Sequence, residues 1–107
     1  MSNKKTREDL LDQIKGNIEM LKNTAIEDLD VLDIEYQLDG SCNLKEIVLT
    51  LTIGGPRIDL KLNDYTILGY WGNEEVDYPI FEKESKTRSA IDALFYRYKE
   101  QFKANLS

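Results

Sequence analysis

No histidine occurs anywhere in these 107 residues. That absence removes the commonest general base, the Ser–His and Cys–His nucleophile pairs, and nearly every zinc site. The single cysteine, Cys42, cannot close an internal disulfide, and it sits in the turn-like stretch DGSCN without the cationic setting of a reactive thiol. No apolar run approaches the roughly 18 residues of a membrane span. The start MSNKKTREDL has two lysines but no apolar segment behind them, so it does not read as a secretory signal. The expectation is a soluble, cytoplasmic protein with no cofactor, no metal and no membrane partner.

Basic charge is scarce in the middle of the chain. Residues 1–23 hold five basic and four acidic residues, 24–82 hold three and thirteen, and 83–107 hold six and three, so the three segments carry +1, −10 and +3. A central segment this acidic opposes direct nucleic-acid binding, because phosphate contacts supply most of such affinity.

The apolar pattern divides the chain in the same places. Residues 1–5 read as a frayed tail, with Thr6 as helix cap and Leu10, Leu11, Ile14, Ile18 and Leu21 as one helical stripe ending at Asn23. Gly16 weakens that helix by about 1 kcal/mol relative to alanine. After residue 30 the period becomes two. In VLDIEYQLDG the residues Leu32, Ile34, Tyr36 and Leu38 face inward; in EIVLTLTI, Ile47, Leu49, Leu51 and Ile53 do; in RIDLKL, Ile58, Leu60 and Leu62. Gly54-Gly55-Pro56, Asn63-Asp64 and Gly72-Asn73 are the turns between strands. YTILGYW is apolar on both faces, and Gly69 marks a bulge or a close backbone approach. A short strand over 75–78 ends at Pro79, and Ser85 or Thr87 caps a closing helix striped by Ile91, Leu94, Phe95, Tyr98 and Phe102. The expected fold is α+β in one domain, residues 1–107: N-terminal helix, antiparallel meander of four to five strands, C-terminal helix, with both helices on one face of the sheet.

The other face then carries Asp33, Glu35, Glu46, Asp59, Glu75 and Asp77, with Arg57 and Lys61 as its basic members and Thr50, Thr52, Thr66 and Tyr70 among them. Same-face neighbours along a strand lie roughly 6.6 Å apart, so these carboxylates repel one another. A solvated sheet face is usually polar, and acids also keep proteins soluble and strand edges apart. Both readings stand. As a site, the candidates for partner binding are Asp33, Glu35, Asp59, Tyr70, Glu74, Glu75, Asp77 and Tyr78, with Tyr70 as the outward aromatic anchor and Trp71 in the core.

Catalytic alternatives are weaker. Paired carboxylates do acid/base work when their environments push two pKa values apart, which an open sheet does little to arrange. DLDVLDIEYQLDG lacks the spacing of a calcium loop, and Glu74, Glu75 and Asp77 offer at most an adventitious cation site. IGGPRI leads into a strand, whereas phosphate loops lead into a helix. The chain therefore reads as a non-enzymatic binder. A second possibility is an assembly module that pairs through a sheet edge or the ILGYW strand, as a homodimer for example.

The stretch LTLTIGGPRIDLKLN followed by LGYWGNEEVDYPI resembles small proteins carried by phages, plasmids and other mobile elements of Gram-positive bacteria. The local pattern covers roughly residues 45–82. The order of elements, with its strongly acidic centre, is similar to small anti-CRISPR inhibitors of type II RNA-guided nucleases. That resemblance implies a non-enzymatic inhibitor in a bacterial host cell, acting as a DNA mimic in the basic duplex channel of its partner. A channel that reads its target through arginine and lysine is what a fixed array of carboxylates complements.

Overall fold

The computed structural model describes residues 2–53 and 55–106, and the side chains of 7–53 and 55–105. Helix α1 (Ser2–Asn23) leads through a short 3-10 turn (Ile26–Asp28) into five strands: β1 (Asp33–Leu38), β2 (Leu44–Thr52), β3 (Arg57–Lys61), β4 (Thr66–Trp71) and β5 (Glu74–Pro79). Helix α2 (Ser85–Leu106) closes the chain. The strands form one antiparallel sheet in sequence order, β1-β2-β3-β4-β5, and both helices contact it. The fold is the expected α+β meander.

Parity along each strand sets the core. Ile47, Leu49, Leu51, Ile58, Leu60, Ile67 and Val76 are buried with Leu10, Ile14, Ile18 and Leu21 of α1 and Ile91, Leu94 and Tyr98 of α2. α1 lies over β4 and β5, while α2 packs against β2 and the 3-10 turn. On the edge strand, the Tyr36 ring packs against Phe102 with centroids 4.9 Å apart, and its hydroxyl donates to the Tyr98 carbonyl at 3.4 Å. Gly69 lets α1 come this near: a Cβ there would stand 2.9 Å from Leu10 Cδ1 and 3.0 Å from Ile14 Cδ1. The glycine thus marks a close approach rather than a bulge. The bulges fall instead at Gln37/Leu38 and between Thr50 and Thr52.

Several expectations shift at element ends. α1 starts at Ser2, ahead of Thr6, so the helix takes in residues 2–5 of the expected tail and Met1 lies outside the described residues. α2 starts at Ser85, and Glu84 occupies the cap position, its carbonyl accepting the Arg88 N–H at 3.0 Å. Thr87 is fully buried inside the helix, and among the described residues its hydroxyl has no hydrogen-bond partner. Leu32 and Leu38, expected inward, are exposed at the two ends of β1. Ile53 is 58% exposed, because β2 ends at Thr52 and Ile53 belongs to the connection. Trp71 is 42% exposed rather than buried, since it is the last residue of β4, paired with Glu74 where the hairpin closes. β3 and β4 are joined by residues 62–65, with Tyr65 at φ +51°, a longer link than Asn63-Asp64 alone.

The two helix-side glycines predict opposite outcomes. Gly69→Ala forces Leu10 and Ile14 aside in a filled core and should cost about 1–3 kcal/mol in urea unfolding. Gly16→Ala meets no atom within 4 Å and should stabilise by about 0.5–1 kcal/mol.

Candidate functional site

The face of the sheet turned away from the helices is organised in rows, because antiparallel partners project to the same side. Asp33, Thr50, Asp59, Leu68 and Asp77 align across all five strands. Beside them run Glu35, Val48, Lys61, Thr66 and Pro79 on one side, and Arg57, Tyr70 and Glu75 on the other. The exposed carboxylates therefore sit on the outer strands, Asp33 and Glu35 on β1 and Glu75 and Asp77 on β5. β3 carries both cations.

Between these outer strands lies a hollow of about 240 Å³ lined by residues of β1 to β4, including Asp33, Glu35, Thr50, Arg57, Asp59 and Tyr70. Its floor is tied together by one guanidinium. Arg57 Nε donates to both Asp59 oxygens at 3.2 Å, and Arg57 Nη2 donates to Thr50 Oγ1 at 3.3 Å. Asp59 is buried while Arg57 stays half exposed, so this carboxylate is screened from a partner by its own neighbour. Lys61 pairs with Asp64 at 3.4 Å. Tyr70 is half-buried as the aromatic on this face, and burial, then Glu75, Asp59 and Asp77, hold its phenol above the usual value against the opposing pull of Arg57. It is a neutral hydrogen-bond donor at physiological pH.

Glu46 is not part of the wet surface. It is buried, and its Oε1 accepts the N–H groups of Ile47 at 2.8 Å and Asn63 at 2.6 Å, while Oε2 accepts that of Asp64 at 3.0 Å. This acid closes the β3–β4 connection, where backbone donors would otherwise lack a partner.

Of the eight sequence candidates, Asp33, Glu35, Asp59, Tyr70, Glu75 and Asp77 share the open face. Glu74 and Tyr78 do not. The pairing of Trp71 with Glu74 places Glu74, Val76 and Tyr78 on the helix side. There Glu74 meets Arg7 of α1 at 3.8 Å, and Tyr78 packs against the core beside Lys15 and Lys22. The cation site considered at Glu74, Glu75 and Asp77 is split between two faces, and among the described residues no three carboxylates or thiols converge on a point. Sequence reading also passed over Val48 and Leu68, apolar residues at open-face positions, although the two-sided apolar run ILGYW carried a hint of the latter.

β4, the ILGYW strand, has β3 on one side and β5 on the other, so neither of its edges is open for pairing. Edge pairing is confined to β1 and β5, and β5 ends at Pro79, which has no N–H to donate. Among the described residues no helix is long and apolar enough to cross a membrane. Comparisons with protein-family models, with curated proteins and with solved structures give no match to this chain.

Two measurements probe this geometry. Glu46→Ala leaves three backbone donors without their acceptor and should cost about 1–3 kcal/mol, whereas Glu35→Ala, on the exposed edge, should change stability by less than about 0.5 kcal/mol. Tyr70, Tyr36 and Tyr65 are all held above the ordinary phenol value of 10.0, by burial for the first two and by the hydrogen bond to Asp92 for Tyr65. A folded pKa above the unfolded one means their stabilising contribution is whole below about pH 10 and is lost as pH rises through the folded values. On the alkaline side the urea midpoint should therefore begin to fall above about that pH, and less steeply in Tyr70→Phe.

Proposed function

We propose that this chain is a non-enzymatic acidic inhibitor that binds a basic nucleic-acid enzyme of a bacterial host through the open face of its sheet. The RNA-guided nucleases are the partner class that fits best, with the acidic face standing in their channel in place of a duplex. The observation that carries this reading is the placement of Asp33, Glu35, Glu75 and Asp77: four exposed carboxylates on the two outer strands of a face that neither helix covers.

Like charges held on a rigid sheet are electrostatically unfavourable to the free protein and favourable to a complex with a cationic surface. A basic channel supplies lysines and arginines in fixed positions, and capture by such a field is fast and salt-dependent. Tyr70, Val48 and Leu68 give the same face a half-buried patch, which a purely solubilising surface does not need. Self-association through β1 is the poorer reading. Antiparallel pairing of two β1 edges would set Asp33 and Glu35 of one copy near those of the other.

The test is inhibition of duplex cleavage by a type II RNA-guided nuclease, together with capture of the enzyme at low and high salt. The quadruple variant Asp33→Lys, Glu35→Lys, Glu75→Lys, Asp77→Lys should fold and lose binding by more than about tenfold. Glu74→Lys, on the opposite face, should inhibit like the parent chain. Equal inhibition by parent and quadruple variant, or capture that survives high salt unchanged, refutes this use of the face.

A further inference from the structure

The two edges of the sheet are finished differently. β5 ends at Pro79, which has no N–H to donate, and α1 packs along its helix side. β1 is hydrogen-bonded on one side alone, to β2. Over Asp33–Leu38 it carries neither the proline nor the lysine that commonly blunts an edge strand, and its register stays regular up to the last step, Gln37/Leu38. The outer row of backbone N–H and C=O groups on β1 therefore points away from the sheet at the spacing of a strand.

Side-chain cover is incomplete at the same edge. On the helix side Ile34 and Tyr36 touch the core yet stay half-buried, and Leu32 and Leu38, which flank them, are 57% and 45% exposed. The β2 partners of Ile34 and Tyr36 are Leu49 and Ile47; with a strand on each side, both are fully buried. What β1 lacks is a neighbour on its outer side. On the open side Asp33 and Glu35 are exposed and meet no cation among the described residues, Glu35 accepting only the Gln37 side-chain amide at 2.7 Å.

We infer that β1 receives a further strand: an extended segment of a partner protein whose alternate side chains are apolar toward the helices and lysine or arginine toward the open face. The inference shares Asp33 and Glu35 with the reading above but concerns the edge of the sheet, so it stands or falls apart from the nuclease channel. The open backbone row calls for a strand, because a helix satisfies its own N–H and C=O groups and would leave those of β1 unpaired. Charge then selects which strand. A second copy paired through β1 with its faces aligned would set Asp33 and Glu35 on the same side as their counterparts, and like charges on adjacent strands oppose pairing. A uniformly basic segment would press cations onto Leu32, Tyr36 and Leu38, where an apolar side chain is needed. Alternation serves both sides at once, with main-chain hydrogen bonds supplying affinity and the alternate side chains selection.

The probe is a fluorescent peptide of about seven residues in which lysine and valine alternate, titrated with the full chain by anisotropy. Its control has the same composition with the lysines and valines gathered in two blocks. The alternating peptide should bind about tenfold more tightly or better than the control. Two further versions are N-methylated, one on every valine amide and the other on every lysine amide. Successive N–H groups of a strand point to opposite edges, so one version should lose about tenfold in affinity and the other should bind like the unmethylated peptide. Leu32→Ser/Leu38→Ser and Asp33→Asn/Glu35→Gln should each weaken the alternating peptide, with folding checked by circular dichroism, whereas Glu75→Gln/Asp77→Asn at the far edge should not. Equal binding of the alternating and block peptides, binding of neither, or the same response to both methylation patterns overturns the added strand. A stable dimer of the free chain in sedimentation that Leu32→Ser/Leu38→Ser disperses overturns it too, since the edge would then belong to a second copy.

Discussion

The structure depends on one-sided burial. Five strands present Ile47, Leu49, Ile58, Leu60, Ile67 and Val76 to a single side, and the stripe of α1 with that of α2 is just enough to cover it. The close passage of Leu10 and Ile14 over Gly69 brings helix and sheet into contact with no intervening side chain from the strand. Among the described residues no element covers the opposite face, as is common for an antiparallel sheet.

Electrostatics then divides the acids by task. Glu46 is buried against backbone donors, Asp59 is held by Arg57, and Glu74 reaches Arg7 on the helix side. Asp39 organises the β1–β2 turn, and the N–H groups of Asn43 and Ser41 hold its carboxyl below the usual range. On the open face the exposed acids are Asp33, Glu35, Glu75 and Asp77, at its margins. The same net charge thus contains acids engaged by the fold, of which Glu46 and Asp59 are buried, and others on the open face that make no such contact.

Periodicity made the fold readable. Alternation in VLDIEYQLDG, EIVLTLTI and RIDLKL assigns a side to each residue, and the helical stripes say which surface covers that side. It does not say where cover ends, which is why Leu32, Leu38, Ile53 and Trp71 have inward parity and yet are exposed. The same parity sets six of the eight candidate residues, Asp33, Glu35, Asp59, Tyr70, Glu75 and Asp77, on the open face. Glu74 and Tyr78 lie on the helix side, and a strand beginning at residue 75 leaves out Glu74, which is the first residue of β5. The Trp71–Glu74 pair closes a two-residue turn, so Glu74 shares the face of Trp71 and every second residue after it follows. Glu46 was hidden for a different reason: its partners are backbone donors from a connection about seventeen residues away, and no local pattern records them.

The ring contact between Tyr36 and Phe102 joins the first strand to the last helix, and the Tyr36 hydroxyl spans 62 positions of sequence to reach Tyr98. During synthesis the sheet emerges long before α2 does. Until that helix arrives, the inward side of β1 and β2 has only part of its cover, and the nascent domain waits as a sticky half-sandwich. The slow event in folding should then be the docking of α2 rather than the zippering of the hairpins, whose contacts are local. A cell that makes this protein has the most to gain from a chaperone in the interval between the fifth strand and the final helix.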